Sequence, residues 1–420
     1  MTFTRRMAWP ALLASAVLLT ASGSASAQTT GEVTFSRDVA PILQQSCQGC
    51  HRAGQMGPMS LMTFEEVRPW ARAIRSKVVG RIMPPWHLDK TVGIQEFQND
   101  KSLSDDEIET IARWVDAGAP RGNPADLPPP LVFGDESEWS IGEPDLILES
   151  AEVIVPASAP DRWTNLGTIP TGLTEDRYVA AVEVKEFNDI PADGAGDTVG
   201  GRYVFHHMTY ASVVPNGADG EGATRFPVHE VGRNADIFPD SAGRLLTAGS
   251  ALELETGHLH SNGRETRAHL KFAFKLHPKG YEPEIKHART FVGNGVDIDI
   301  RPNQGDQELH AYYVLPEHTK ITTFEPHLHA PGARMCLEAI WGINIQTLTC
   351  AGYDHNWVRG YEYAPGYEPL LPKGTILHIT GYMDNTPGNE NIPDPRNWQG
   401  SGNRSVANMF IDLGHGVAMT

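Results

Sequence analysis

Residues 324–338 read Phe-Glu-Pro-His-Leu-His-Ala-Pro-Gly-Ala-Arg-Met-Cys-Leu-Glu and place His327 and His329 one residue apart in an apolar setting. On a β-strand, side chains at i and i+2 leave the same face, so both imidazoles can reach one metal ion without rearranging the backbone. A surface strand also produces His-x-His by chance, so the pair alone decides nothing. Three other stretches carry donors of the same kind. Residues 203–210 hold the adjacent His206 and His207, residues 255–263 hold His258 and His260, and Met409 lies between Asn408 and Phe410. Neighbouring strand residues face opposite ways, so His206 and His207 can share a metal only where the strand bulges or ends. Taken one at a time these are also a buried histidine pair, an exposed turn and a core methionine.

A different chemistry is written at Cys47-Gln48-Gly49-Cys50-His51. That pentapeptide is the covalent c-type haem attachment signature, in which two thiols add to the haem vinyls and the adjacent histidine ligates iron. A zinc-binding or redox Cys-x-x-Cys is the alternative. Met83, before Pro84 in a loop, is the chosen second axial ligand, with Met56, Met59 and His87 left open. The remaining cysteines, Cys336 and Cys350, lie symmetrically about Gly342-Ile343-Asn344. An antiparallel ladder centred on Ile343 sets them face to face, which predicts a disulfide in an exported chain.

The elements that must position these groups change character along the chain. Over 31–122 the pattern is helical: a helix over 64–79, then one with Ser104 as N-cap, Glu107 completing a capping box, apolar positions Ile108, Ile111, Ala112 and Val115, and Gly118 closing it. Residues 123–138, with Pro124 and Pro128 to Pro130, read as a linker. Beyond them come short alternating runs, at 146–148, 151–155, 178–184, 203–214, 251–254, 268–274 and 296–300, so one or two β-sandwiches are expected.

Residues 1–27 read as a signal peptide: Arg5 and Arg6, an apolar run too short to span a bilayer, then Ala25-Ser26-Ala27. A periplasmic or secreted chain without membrane insertion is expected. The net charge of −18 becomes −20 without the two leader arginines, which argues against nucleic acid and anionic lipid as partners.

Residues 31–122 resemble the monohaem cytochromes c, including Trp-Val-Asp-Ala-Gly-Ala-Pro ending at Pro120. From about residue 140 to 418 the order and spacing of the His-His pair, His258, the His-x-His pair and Met409 resemble the type II copper, ascorbate-dependent monooxygenases. This is the family of peptidylglycine hydroxylating monooxygenase and dopamine β-monooxygenase. The likeness extends to Tyr353-Asp354-His355-Asn356-Trp357, 371–375 and Tyr382-Met383-Asp384-Asn385-Thr386. It implies an all-α cytochrome c domain over 31–122 and two all-β jelly-roll-like sandwiches over 139–282 and 283–420. It further implies two copper ions facing each other across a cleft. His206, His207 and His258 would hold the electron-accepting copper; His327, His329 and Met409 would hold the copper where O2 binds.

The activity implied is hydroxylation of a C–H bond in a small organic substrate by O2. The fused haem suggests that a periplasmic donor supplies the electrons. Two positions depart from the family pattern: Asn408 replaces an acidic residue before the ligand methionine, and Glu325 stands where amidating enzymes carry an arginine for the substrate carboxylate. The alternative is a non-catalytic periplasmic electron-transfer or copper-binding haem protein.

Overall fold

The computed structural model describes residues 31–133, 138–191, 201–215, 223–230, 235–238, 242–289, 292–295, 297–355, 357–402 and 406–419. The expected signal peptide over 1–27 lies outside them, as do residues 134–137 of the expected linker.

Strand accounts for 37 % and helix for 12 %, which makes the chain mostly β and corrects the expectation of an all-α cytochrome c domain followed by jelly-roll sandwiches. Among the described residues α-helix comes in short pieces: α1 (Ala40–Ser46), continued from a π-helical turn at Phe35–Val39, α2 (Phe64–Val67), α3 (Ala71–Val79) and α4 (Asp105–Asp116). The single helix expected over 64–79 is interrupted by a 3₁₀ turn at Arg68–Trp70. Pro69 accounts for the break, because its ring cannot donate the backbone hydrogen bond that an uninterrupted helix needs. Helix α4 does follow its sequence signals: Ser104 and Glu107 cap each other, and Gly118 adopts φ 88° just beyond its end.

Much of the rest of 31–122 is irregular, and part of it belongs to the β body. Trp86, Leu88 and Phe97 are buried in the same apolar core as Phe324, Leu337, Tyr361 and Phe410. Asp89 N–H donates to Cys350 O at 2.9 Å, and Gly352 N–H donates to His87 O at 2.8 Å. A smaller core of Phe35, Leu43, Val67, Ile111 and Trp114 holds the helices together.

Two β cores follow. The first gathers Val182, Phe205, Tyr210, Leu254, Phe272 and Phe274; the second is the core just described. An 11-stranded sheet runs through both halves, because Ala242–Leu246 pairs in parallel with Ile285–Arg289, which pairs with His415–Ala418. A six-stranded sheet carries Phe205–Val213 and Ala251–Leu259, and a three-stranded sheet joins Pro326–Leu328 to Phe410–Asp412. The fourth sheet orders Gln307–Val314, Ile376–Met383, Gly332–Trp341 and Asn344–Gly352.

Cys336 and Cys350 are disulfide-bonded and directly paired in that last sheet. The hairpin turns tightly between Trp341 and Asn344, and a register shift at Leu337/Glu338 moves the ladder by one residue before it reaches the cysteines. Among the described residues no helix is long and apolar enough to cross a membrane.

Candidate metal centre

One row of cross-strand neighbours builds half of the centre. His258 pairs with Trp163 on one side and with His207 on the other, and His207 pairs with Glu230. Directly opposed residues on an antiparallel sheet project to the same face, so Trp163, His258, His207 and Glu230 form a line. The ladder then skips a residue: Leu259 pairs with Phe205, leaving His206 as the extra residue of a bulge. The bulge is what allows two sequential histidines to serve one site. Glu186 helps to fix it, its carboxylate accepting from the N–H groups of Val204 and Phe205 at 2.9 and 2.8 Å.

The side-chain nitrogens of His206, His207 and His258 lie within 4.8 Å of one another, all three residues are buried, and the triad could hold a metal ion. His258 stacks on Trp163 with centroids 4.3 Å apart and planes 4° from parallel, while its Nε2 meets Asp161 Oδ2 at 3.0 Å. His206 Nε2 donates to His355 O at 3.0 Å, which turns its Nδ1 toward His207 Nδ1, 3.4 Å away. Burial, and then the neighbouring imidazoles, push the pKa values of His206 and His207 well below the ordinary histidine range. Neutral imidazoles are the form that binds a metal.

The second half comes from the other β core. His327 pairs with Ile411 and Leu328 with Phe410, so the same register continued by one step sets His329 opposite Met409. Alternation then puts His327, His329, Met409 and Ile411 on one face. Gly381 gives Phe410 its seat, since a Cβ there would come within 2.6 Å of the phenyl ring. All four of those residues, with His207 and Glu230, line a cavity of about 240 Å³. Glu230, buried at 0 % exposure, accepts from His327 Nδ1 at 3.1 Å, which leaves the lone pair of that ring on Nε2. Carboxylates commonly orient ligand histidines in this way.

The two sets meet. The His207 and His327 rings lie 6.0 Å apart, and His355 lies 5.4 Å from His206 and 6.0 Å from His329. The resemblance implied copper ions facing across a cleft; the structure joins the two ligand sets in one continuous group of imidazoles. His355 was legible only as part of a family-like stretch with no role. Tyr353 ties it in by donating to Leu328 O at 2.6 Å, within the His-x-His segment. His260 stays in a supporting position, its Nε2 donating to Tyr203 O at 3.1 Å. Glu325 is fully buried, and its N–H donates to Asp412 Oδ1 at 2.9 Å. Asn408 is also buried.

Asp161, Trp163 and Glu230 were missed from sequence. Asp161 and Glu230 each act on a histidine 97 positions away, and no local pattern records such a pairing.

At the N-terminal motif, Cys47 and Cys50 are free thiols. Burial pushes Cys47 up to about 12 and raises Cys50. His51 Nδ1 donates to Met59 O at 3.3 Å, which leaves Nε2 for an axial bond. Gly57 closes the loop over this ring, and a Cβ there would lie 2.6 Å from His51 Nδ1. Two thiols and an imidazole nitrogen are the donor types that a covalent haem c would use. Met83 is 38 % exposed on the turn after α3, whereas Met59 packs against the helical core. The loop that follows the motif meets the segment leading to the histidine pair: Arg202 Nη1 donates to Gly54 O at 2.5 Å.

No protein-family model matches the chain, and no curated protein matches it.

Proposed function

We propose that the chain is a copper-dependent monooxygenase that hydroxylates a C–H bond of a small organic substrate with O2, supplied with electrons through a haem c attached at Cys47 and Cys50. The observation that carries this reading is that His327, His329 and Met409, on or next to two paired strands some eighty positions apart, line one cavity with His207 of the triad. His206, His207 and His258 would hold one copper ion and His327, His329 and Met409 the other. Bound there, copper would supply one-electron exchange and activation of O2, and the haem would supply single electrons.

What the side chains themselves do follows from their chemistry. Three imidazoles accept both Cu(I) and Cu(II), whereas the soft thioether of Met409 favours Cu(I), the state that reacts with O2. Glu230 holds a proton at His327 Nδ1 and so would leave Nε2 to bind copper. Tyr210, Phe226, Val228, Ile411 and Leu413 give the cavity an apolar wall suited to a hydrophobic C–H group, beside the charged Arg225 and Glu230. Its volume of about 240 Å³ lies below the range common for drug-sized ligands, which favours a small substrate. Glu325, in place of an arginine, removes the partner that a peptide carboxylate would need. The Cys336–Cys350 disulfide supports an oxidising, exported location.

The experiment is incorporation of labelled oxygen from ¹⁸O2 by the copper- and haem-loaded protein with a reduced donor and a panel of small apolar compounds. One ¹⁸O atom per hydroxylated product, lost in His327→Ala, is expected. Contact between the two ligand sets favours a second reading, a non-catalytic copper-holding or electron-transfer protein. Reduction and reoxidation without any substrate-dependent O2 uptake would select it.

A further inference from the structure

We propose that His310 and His378 form a separate divalent-metal site on the outer face of the four-stranded sheet, taking a first-row cation such as zinc. The strands bring the parts together: Tyr312 and Glu338 are the two cross-strand partners of His378, and His310 pairs with Thr380. His310 Nδ1 and His378 Nε2 lie 3.0 Å apart, and Thr380 Oγ1 is 3.5 Å from each. Donors held about 2.0–2.1 Å from zinc at tetrahedral angles are roughly 3.3 Å from each other. The triangle therefore has the edges of a metal site.

Protonation is arranged the same way. His378 Nδ1 meets Glu338 Oε2 at 2.8 Å, and His310 Nε2 faces Glu308 Oε2 at 3.7 Å. The carboxylate on His378 Nδ1 draws the proton there and turns the Nε2 lone pair toward His310, whereas Glu308 lies beyond hydrogen-bond reach and leaves His310 able to carry its proton on either nitrogen. Without a metal, His310 Nδ1–H donates to His378 Nε2 at 3.0 Å; a cation would take the place of that proton, which moves to the exposed His310 Nε2. Glu338 is itself held, accepting from Thr347 Oγ1 at 3.1 Å, and Tyr312 stacks on His378 with centroids 4.4 Å apart and planes 6° from parallel. The His378 side chain is 11 % exposed and that of His310 43 %. An ion thus enters from solvent, meets a fixed inner ligand and completes its coordination with water. It would fasten the edge strand Gln307–Val314 to Ile376–Met383, at a site distinct from the cavity histidines.

The test is zinc titration of the full-length, chelator-treated protein by calorimetry, beside thermal melting. Cavity imidazoles also bind zinc, so the comparison is between variants. Wild type is expected to bind one more zinc equivalent than His310→Ala and to gain a larger zinc-dependent rise in Tm. Glu338→Gln, which keeps both histidines, is expected to weaken that same equivalent by about 10- to 100-fold. Identical stoichiometry and affinity in wild type and His310→Ala would overturn the proposal. Should His310→Ala fail to fold, His310→Gln is read in the same way.

Discussion

The imidazole of His207 lies 6.0 Å from that of His327, although the two residues belong to different sheets. This contact is the joint between the two ligand sets. Glu230 reinforces it, since the residue paired with His207 on one side is the residue that accepts from His327.

A first prediction uses that joint. His258 stands on the triad side, stacked on Trp163, so His258→Ala is expected to lose one of two bound copper ions and leave the other with its affinity unchanged. His207→Ala is expected to weaken both. Copper per chain after equilibrium dialysis, measured for the two variants together, checks this. Equal losses in both would show that the joint has no energetic meaning.

Glu230→Gln preserves shape but weakens the acceptor for His327 Nδ1–H. Removing such a carboxylate from a ligand histidine lowers metal affinity about 10- to 100-fold. Competition with a chromophoric Cu(I) chelator measures it. Affinity within a factor of two of wild type would leave Glu230 no orienting role.

Acidification of the metal-free protein is expected to destabilise it. Burial, then His258 and His327, push His355 down to about 4, and His206 and His207 fall well below the ordinary value of 6.5. Between about 4 and 6.5 the unfolded chain therefore binds more protons at these three rings than the folded one, and stability falls as pH falls through that window. Each histidine contributes a slope of up to about 1.4 kcal/mol per pH unit. Glu186 opposes them: burial raises it to about 7, so its contribution is present at low pH and lost as pH rises through that value. Three rings outweigh one carboxyl. Urea midpoints from pH 7.5 to 5 should decline, and a flat or rising midpoint would contradict the assignment of neutral buried rings.

Haem attachment gives a prediction independent of copper. Protein made with a c-type maturation system is expected to keep haem on a denaturing gel, and Cys47→Ala with Cys50→Ala to lose it. Retention by the double variant would remove the assigned role of the two thiols.

How much of this was legible depended on the range of the interaction. The α4 capping box, the bulge that His206 and His207 require, and the Cys336–Cys350 pairing are local or hairpin-range features. A few residues of pattern determine them. Even there the hairpin needed its one-residue register shift to align the cysteines. The all-α expectation for 31–122 failed because Pro69 breaks one helix and because Trp86, Leu88 and Phe97 carry no periodicity that says which core they enter. Tertiary packing decided that, through contacts such as the Leu88–Ala351 and Phe97–Tyr363 bridges. The residues that orient the ligands, Asp161, Glu230 and His355, were hidden for the same reason.

The account rests on a thioether beside two imidazoles. Met409→Leu is nearly volume-conserving, so its fold should lose less than about 1.5 kcal/mol, and a change at the metal can then be read without unfolding. X-ray absorption at the copper edge of the reduced, copper-loaded protein is the most direct measurement. We expect a sulfur scatterer on Cu(I) in wild type that disappears in Met409→Leu while the nitrogen shell of the triad remains. A nitrogen-only spectrum in wild type, or a sulfur shell that survives the substitution, would contradict the assignment of His327, His329 and Met409 as the oxygen-reactive copper site.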